Sequence, residues 1–509
     1  MIEVHYKNEV NKESQLYKRL HEAHRRLINK ENTIWGSEAA AEASIRMDWL
    51  DLPTESRGLL AQLDALFAKH KHLTNVILCG MGGSSLGPEV IAHTFGKELF
   101  VLDSTDPNYV SHSLTSDWSK TLVIVGSKSG STIETASQKS FFESCFEKAG
   151  LNKADHMIIV TDPKSPLDLA SREAGFTIVN ANPNVGGRFS VLGAFGLVPA
   201  ALIGIDVSVI LDSAADTKDS LIANATPALL AAYAIITGTE QYFSITDENS
   251  GMPGLSDWIE QLVAESTGKN NLGRLPVVLD HSSDLVAGKH LSISFGGNSD
   301  LVVRGDLGSQ FFFWQWVTAL IAAGLSIDPF NQPNVQESKL ASADLLEQWG
   351  NSLPPLGNLG VDGSIAFFNE STDIQKLISL FIQSVDSDGY LSVMAYLDRQ
   401  NDLQIKALRD IIASKIDKPV TFGWGPRFLH STGQFHKGGQ SNGSFLQITA
   451  GFEKDYKIPG KKFSFGTLIM AQSIGDQNAL EKRGLKTMRL HLLDRPEGIK
   501  QLLDIAKKL

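Results

Sequence analysis

Short apolar runs alternate with helical patterns of apolar and polar positions along the chain. The runs NVILC, LFVLD, TLVIV, HMIIV and FTIVN begin at residue 75 and end at residue 180. Their spacing of roughly 20 to 35 residues, with helical patterns in between, predicts βαβ units and a parallel sheet. Ahead of them, residues 12–30 and 54–70 combine helical spacing with abundant charge, so we expect a helical N-terminal segment.

The same alternation continues to the end of the chain. Further strands are predicted at 276–280, 291–296, 301–305, 390–397, 419–425, 444–451 and 487–493, and helices at 189–205, 227–238, 255–267 and 310–325. The turn-rich stretch 351–364 separates the last four strands from the rest. We therefore expect an α/β fold with a helical N-terminal preamble (1–55), two α/β domains (56–212 and 213–350) and a smaller C-terminal α/β domain (351–509).

Composition and charge narrow the class of protein. The 509 residues are 42% hydrophobic and carry a net charge of −11, which is typical of a globular chain and argues against nucleic-acid partners. The apolar stretch 189–205 contains Pro199 and is too short for a membrane span. Two cysteines, Cys79 and Cys145, and the absence of a secretory pattern indicate a cytoplasmic location.

Two loops that follow predicted strands carry anion-binding signals. The glycines of GMGGSSLGP let main-chain N–H groups approach an anion at a helix start, but Ser85 occupies the third glycine position of a dinucleotide motif. The loop GSKSGST sets four hydroxyl side chains beside Lys128, and Ser131 stands where a P-loop needs lysine. Loops at neighbouring strand ends face the same crevice, so together they indicate a sugar phosphate. An ordinary turn and ordinary helix capping are the structural alternatives.

Two charged residues lie on turns next to predicted helices. Arg188 follows two glycines in GGRFS, where a guanidinium in a desolvated turn can donate to an oxyanion. Glu265 lies in the last turn of helix 255–267, where burial would raise its pKa toward that of a useful base. The alternatives are an arginine that caps carbonyls and a solvated glutamate. The stretch DPFNQPNVQESK predicts a bend into a helix that carries Lys339.

Five motifs in this order resemble the glucose-6-phosphate isomerase family, also called phosphoglucose isomerase. They are GGSSLGP, SKSGSTIET, GGRFS, AESTGK and PFNQPNVQESK. The resemblance implies two sugar-isomerase (SIS-type) doubly wound domains with parallel sheets, followed here by the smaller C-terminal α/β domain. It also implies reversible isomerisation of glucose 6-phosphate and fructose 6-phosphate in glycolysis and gluconeogenesis, through a cis-enediolate with a glutamate base, without cofactor or metal.

The resemblance further implies a role for each motif residue. Glu265 would move the proton between C2 and C1, Arg188 would stabilise the enediolate, and Lys339 would assist ring opening. The substrate would be bound by Gly83, Ser84, Ser127, Lys128, Ser129, Thr132, Glu134 and Gln332. Of these, Ser127, Lys128, Ser129 and Thr132 would hold the 6-phosphate.

One position departs from the family pattern. The family usually has a ring-opening histidine in G-x-x-G-Q-H, and Gln310 stands at the nearest match, where an amide cannot act as an acid. The loop 425–439 carries His430 and His436 beside Lys437, and we assign ring opening to His436 because histidine titrates near neutrality. The alternatives are a structural histidine and an enzyme that accepts the open-chain sugar.

The C-terminal region resembles the isomerase half of fused transaldolase and glucose-6-phosphate isomerase proteins. The segments HSTGQFHKGG and SFGTLIMAQSIGDQNAL carry this likeness, so the chain is a free-standing relative or one piece of a larger product. The family is usually dimeric, which implies a homodimer unless the third domain replaces the partner's contribution. A sugar-phosphate sensor, an isomerase of another sugar phosphate and a dehydrogenase are the alternatives. The intact Glu265, Arg188 and Lys339 argue against the sensor, and Ser85 argues against the dehydrogenase.

Overall fold

The computed structural model describes residues 2–239, 241–288, 290–350, 352, 360–368 and 373–509. Within these residues the strands form three sheets of five, five and six strands. The predicted turn-rich stretch 351–364 lies mostly outside the described residues, so the domain boundary placed there stays a prediction. The α/β fold class with parallel sheets is confirmed.

The N-terminal segment begins as a strand rather than a helix. β1 (Glu3–Tyr6) pairs antiparallel with residues 301–304 of the second sheet, which corrects the expectation of a purely helical preamble. Alternate side chains of β1 are partly buried, and that period of two suits an edge strand. The helices that follow are Gln15–Ile28, Ala40–Arg46, Leu52–Glu55 and Leu60–His70. The segment thus packs on the second domain through β1 and its first helix.

The first sheet is fully parallel, as the spacing of its apolar runs predicts. Its strands are β2 (Asn75–Gly80), β3 (Phe100–Leu102), β4 (Thr121–Gly126), β5 (Met157–Thr161) and β6 (Thr177–Asn180), in the order β3-β2-β4-β5-β6. Its helices are Leu86–Thr94, Pro107–Ser111, Ile133–Lys148, Lys153–His156, Pro166–Glu173 and Ala194–Leu202. β3 lies on one side of β2 and β4 lies on the other, so the direction of the strand order reverses between β2 and β4. The loops after β2 and β4 therefore open on one crevice.

The second sheet joins β1 to four parallel strands. These are β7 (Tyr242–Thr246), β8 (Leu275–Val278), β9 (Leu291–Ser294) and β10 (Leu301–Arg304), in the order β1-β10-β9-β7-β8. Its helices are Ser208–Ala223, Thr226–Thr237, Leu255–Thr267 and Leu307–Leu325. The next helix, Val335–Trp349, packs on helix Phe465–Lys482 of the C-terminal domain. The helix that carries Glu265 lies between β7 and β8, and its carboxyl end reaches the cleft described below.

The third sheet has four parallel strands, and two short strands in antiparallel pairing extend one of its edges. Its strands are β11 (Gly360–Asp362), β12 (Ile365–Phe367), β13 (Tyr390–Ala395), β14 (Val420–Trp424), β15 (Gly443–Ala450) and β16 (Lys486–Leu492), in the order β11-β12-β16-β15-β13-β14. Its helices are Ile374–Gln383, Ala407–Ala413, Gly433–Gly438, Phe465–Lys482 and Arg495–Lys507. The loop after β14 points toward the first domain.

Apolar helices form much of the core. The apolar stretch 189–205 becomes helix Ala194–Leu202, whose residues are all buried, as predicted. Among the described residues no single helix is long and apolar enough to cross a membrane. The helices Ser208–Ala223 and Thr226–Thr237 pass that test only as a pair, by length and composition, with a bend of 85° between them.

Buried ion pairs join the C-terminal domain to the first domain. Arg427, after β14, contacts Glu89 and Asp103 at 2.7 Å each, and Arg399 contacts Glu89 at 2.7 Å. Burial alone would raise the pKa of Glu89, but the two guanidinium groups outweigh it and hold that pKa below its usual value. The loop after β14 is therefore anchored over the strand ends of the first sheet.

Candidate active site

The loops after β2 and β4 line one cleft of about 420 Å³. Helix Leu255–Thr267, the bend before helix Val335–Trp349 and the loop after β14 complete its walls. Ten predicted site residues line it: Gly83, Ser84, Ser127, Lys128, Ser129, Thr132, Arg188, Glu265, Gln332 and Lys339. Among the described residues, no group of three or more histidine, cysteine, aspartate or glutamate side chains is arranged to hold a metal ion.

Hydroxyl groups converge at the start of a helix on one side of the cleft. β4 leads through loop 127–132 into helix Ile133–Lys148. The hydroxyl of Ser127 accepts from the main-chain N–H of Gly130 at 3.2 Å, and that of Ser129 bonds to a neighbouring hydroxyl at 2.6 Å. A helix N-terminus favours negative charge, so this loop suits a phosphate group.

Lys128 is oriented by an acidic partner beside the same loop. Its ammonium donates to Asp162 Oδ2 at 2.6 Å and to the carbonyl of Pro183 at 3.2 Å. Burial lowers the pKa of Lys128, which Asp162 partly offsets, and burial raises the pKa of Asp162. The cation therefore lies at the edge of the hydroxyl loop, within the cleft wall.

A carboxylate and a guanidinium face each other on the opposite wall. Glu265 Oε1 lies 3.7 Å from Arg188 Nη1, with the two side chains 14% and 4% exposed. Arg188 Nη2 donates to the carbonyl of Phe330 at 2.8 Å and to Gln332 Oε1 at 2.6 Å. Its buried Nη1 makes no hydrogen bond to a described residue. One arm of the guanidinium is thus fixed by the bend, and the other faces the Glu265 carboxylate.

A buried lysine holds the bend that carries Gln332. Lys269, four residues after Glu265, donates to the carbonyls of Asp328 and Asn331 and to the side chain of Asn331. Burial holds the pKa of Lys269 well below its usual range. The segment that carries Glu265 and the bend are therefore joined directly, a contact that the sequence motifs did not indicate.

Gln261 links the two sides of the cleft. One turn before Glu265 on the same helix, its buried amide donates to Glu265 Oε2 at 3.2 Å and to the carbonyl of His430 at 2.8 Å. Both amide hydrogens are thereby used, which orients the carboxylate toward the cleft. Gln261 was missed in the sequence because it matches the polar face of an amphipathic helix.

The glycines after β2 serve close packing as well as anion access. A Cβ at Gly83 would lie 2.0 Å from the carbonyl of Gly187, so the loop before Arg188 packs directly on its backbone. A Cβ at Gly82 would lie 2.8 Å from the carbonyl of His430. These contacts bring Arg188 and His430 to the first loop.

Glu134 and His430 form a buried pair beside the cleft. His430 Nε2 lies 2.8 Å from Glu134 Oε1, which also accepts from Gln472 Nε2 at 2.7 Å. Glu134 lines an adjoining cavity of about 250 Å³, and His430 and Lys339 line both cavities. Burial alone would raise the pKa of Glu134, but the positive charges of His430 and Lys339 lower it.

The structure corrects the expectation that His436 reaches the substrate. His436 lines neither of these two cavities, is 4% exposed, and its Nδ1 bonds to the hydroxyl of Tyr390 at 2.7 Å. Burial, with a smaller contribution from Lys437, holds its pKa well below the usual range. Gln310 is likewise a core residue, which donates to the carbonyl of Val303 and accepts from Trp314. His436 is therefore a packing residue, and the histidine at the cleft is His430.

Comparisons with known proteins show similarity to glucose-6-phosphate isomerases. The sequence model described as phosphoglucose isomerase matches residues 63–294. The probable glucose-6-phosphate isomerase of Haloquadratum walsbyi is 33% identical over 214 residues, which cover 40% of this chain and 50% of that protein. The enzyme of Citrifermentans bemidjiense is 37% identical over 214 residues, which cover 38% and 40%. The chain thus spans about half the length of the curated relatives it matches.

A solved structure supports the fold. The crystal structure of a glucose-6-phosphate isomerase from Chlamydia trachomatis superposes with a TM-score of 0.54 at 18% identity, covering 68% of this chain and 88% of that one. The parallel sheets and the cleft at their switch point define an α/β protein with the sugar-isomerase fold. Within that class, the match over residues 63–294 confirms the resemblance to the glucose-6-phosphate isomerase family.

Proposed function

We propose that this protein interconverts glucose 6-phosphate and fructose 6-phosphate. The observation that carries the proposal is the pair formed by Glu265 and Arg188, 3.7 Å apart, in a cleft whose other wall is the hydroxyl loop after β4. An aldose–ketose isomerase needs one carboxylate that moves a proton and one cation that stabilises an oxyanion. A phosphate site across the cleft from this pair suits a phosphorylated sugar.

The reaction follows from these positions. Glu265 takes the proton from C2 of the open-chain aldose, and the electron pair of the broken C–H bond forms the double bond of a cis-enediolate. Arg188, whose guanidinium lies beside Glu265 in the cleft, stabilises the developing oxyanion with its positive charge. The O2 hydroxyl then loses its proton and O1 gains one, by exchange with water, and Glu265 returns the proton to C1, which yields the ketose. These proton transfers need no cofactor.

The remaining residues of the cleft bind the substrate in this proposal. Ser127, Lys128, Ser129 and Thr132 hold the 6-phosphate, and Gly83, Ser84, Gln332 and Lys339 contact the sugar. The substrate is a small-molecule sugar phosphate, and every group named here comes from one chain. A homodimer and a cytoplasmic location stay predictions. The two cysteines are free, and one of them, Cys79, is buried, in keeping with a reducing compartment.

The test is conversion of fructose 6-phosphate to glucose 6-phosphate by purified protein, with and without a chelator. We expect chelator-resistant turnover that falls by at least about 10³-fold in Glu265→Gln, because the amide cannot take a proton. Glu173→Gln, on the exposed end of a helix of the first domain, is the control and should keep full activity. Binding of fructose 6-phosphate without turnover by the native protein would instead identify a sensor.

A further inference from the structure

The C-terminal domain contributes one histidine to the cleft. His430 is the one histidine among the described residues that line the cleft, and its side chain is 14% exposed. Its Nε2 is held by Glu134, whereas its Nδ1 makes no hydrogen bond to a described residue. One ring nitrogen is therefore oriented by a carboxylate, and the other is available for proton transfer, the arrangement of a carboxylate–histidine pair.

Three contacts fix the position of His430. Gln261 donates to its carbonyl at 2.8 Å, and the same amide contacts the proposed base Glu265. A Cβ at Gly82 would lie 3.2 Å from His430 Cβ, so the glycine lets the loop of His430 pack closely on the loop after β2. Arg427, three residues earlier, is locked to the first domain by two buried carboxylates. These contacts join the loop of His430 to the first two domains.

The chemistry of the substrate requires a second proton-transfer group. Six-carbon sugar phosphates are mostly cyclic in water, and the cyclic form has no carbonyl next to the C–H bond that Glu265 would break. Ring opening breaks the C1–O5 bond of the aldose, and its electron pair must gain a proton at O5. Glu265 is already assigned to C1 and C2, so another acid must serve O5.

We propose that His430 is this acid, supplied by the C-terminal domain of the same chain. This proposal rests on the proposed function. The imidazolium donates its Nδ1 proton to O5 as the C1–O5 bond breaks, the C1 hydroxyl loses its proton to water, and a C1 carbonyl forms. Glu134 fixes the ring and balances the imidazolium charge. Lys339, which lines the same two cavities, stabilises negative charge on the sugar oxygens.

The experiment compares a cyclic with an open-chain substrate. Fructose 6-phosphate is the cyclic substrate: its C2–O5 bond opens with the same proton transfer to O5, and its C2 hydroxyl loses a proton to water as the C2 carbonyl forms. The open-chain probe is 5-deoxyfructose 6-phosphate, which lacks the hydroxyl that closes the ring. Turnover of fructose 6-phosphate is measured as formation of glucose 6-phosphate. The reaction of the probe is measured by NMR as exchange of its C1 protons for deuterium in deuterium oxide. For His430→Asn we expect turnover to fall about 100-fold or more, with exchange on the probe within about threefold of wild type.

His112→Asn is the matched control. His112 also joins the first and C-terminal domains and pairs with a carboxylate, Asp398, at 2.7 Å, but it lines neither cavity. It should leave both readouts unchanged. If His430→Asn does not fold, Glu134→Gln replaces it, with the same selective loss expected. Equal losses on both substrates, or no loss on fructose 6-phosphate, would overturn the role of His430. The proposed function is tested separately by Glu265→Gln. If deuterium exchange on the probe disappears in that variant, the proposed function is supported whether or not His430 has the proposed role.

Discussion

At the scale of single residues, we expect Gln261, which lines the cleft, to position the proposed base Glu265. It donates to the proposed base and to the backbone of the loop that carries His430. A carboxylate that is free to rotate would spend part of its time away from C1 and C2. Orientation of a catalytic group contributes to rate in its own right.

Gln261→Leu should therefore lower kcat about tenfold, equivalent to about 1.4 kcal/mol, with KM within about twofold of wild type. Steady-state kinetics with fructose 6-phosphate measure this split. Gln138→Leu is the control: Gln138 is also buried, donates to the carbonyl of Ser104, and does not line the cleft. A rise in KM without a change in kcat would contradict a positioning role.

Residue types on loops could be predicted from the sequence, but their partners could not. Arg188, Glu265 and the hydroxyl loop were recognised because their side chains suit the chemistry and follow strands or glycines. The choice between His430 and His436 depends on a contact with Glu134, 296 residues away in the chain. Nothing in the local pattern distinguishes the two histidines, so the sequence prediction selected the buried one.

At the scale of elements, the two switch-point loops depend on glycine for packing. The loop after β2 and the turn before Arg188 approach until a Cβ at Gly83 would lie 2.0 Å from a main-chain oxygen. A backbone contact of this kind cannot relax by rotating a side chain. The position of Arg188 relative to the cleft therefore depends on this glycine.

Gly83→Ala should lower the free energy of unfolding by about 2 kcal/mol, because the turn before Arg188 must move. Urea denaturation measures the change, and kcat should fall as Arg188 shifts. Gly58→Ala is the control, since a Cβ there meets nothing within 4 Å. Wild-type stability and activity in Gly83→Ala would show that the loop has room for a side chain.

Most strands could be predicted because they are continuous apolar runs, as buried parallel strands are. β7 was missed because its sequence YFSIT mixes polar and apolar residues beside a helix pattern. β1 was missed because a short edge strand with alternate exposure resembles a charged loop. Edge strands depend on a partner for their conformation, and the partner of β1 lies about 300 residues away.

At the scale of the whole molecule, the C-terminal domain is part of the active-site architecture. Glu89, Asp103, Arg399 and Arg427 form a buried network that seats the loop of His430 on the first sheet. This network was not predictable, because each of its residues alone matches an ordinary charged position. Removal of one member leaves buried charge without full compensation.

Arg427→Met should lower the free energy of unfolding by about 3 kcal/mol at pH 7, because Glu89 and Asp103 lose a partner. The pKa of Glu89 is depressed in the fold, so its contribution is complete above its unfolded value of about 4.3 and is lost as the pH falls below it. Denaturation between pH 3 and 7 should therefore show a smaller pH dependence in Arg427→Met.

The control for this network is Arg25→Met, which removes an exposed pair with Glu22 and should leave the free energy of unfolding and its pH dependence as in wild type. A pH dependence in Arg427→Met as large as in wild type would contradict the role given to Glu89.

The central claim, that Glu265 moves one proton between C2 and C1, is tested most directly with glucose 6-phosphate deuterated at C2. We expect wild-type protein to form fructose 6-phosphate with deuterium partly at C1 and partly lost to water, as a single carboxylate that exchanges with solvent requires. Glu265→Gln should form none. Complete retention of deuterium at C1 would indicate hydride transfer, and binding without product would indicate a sensor; either result would contradict the account.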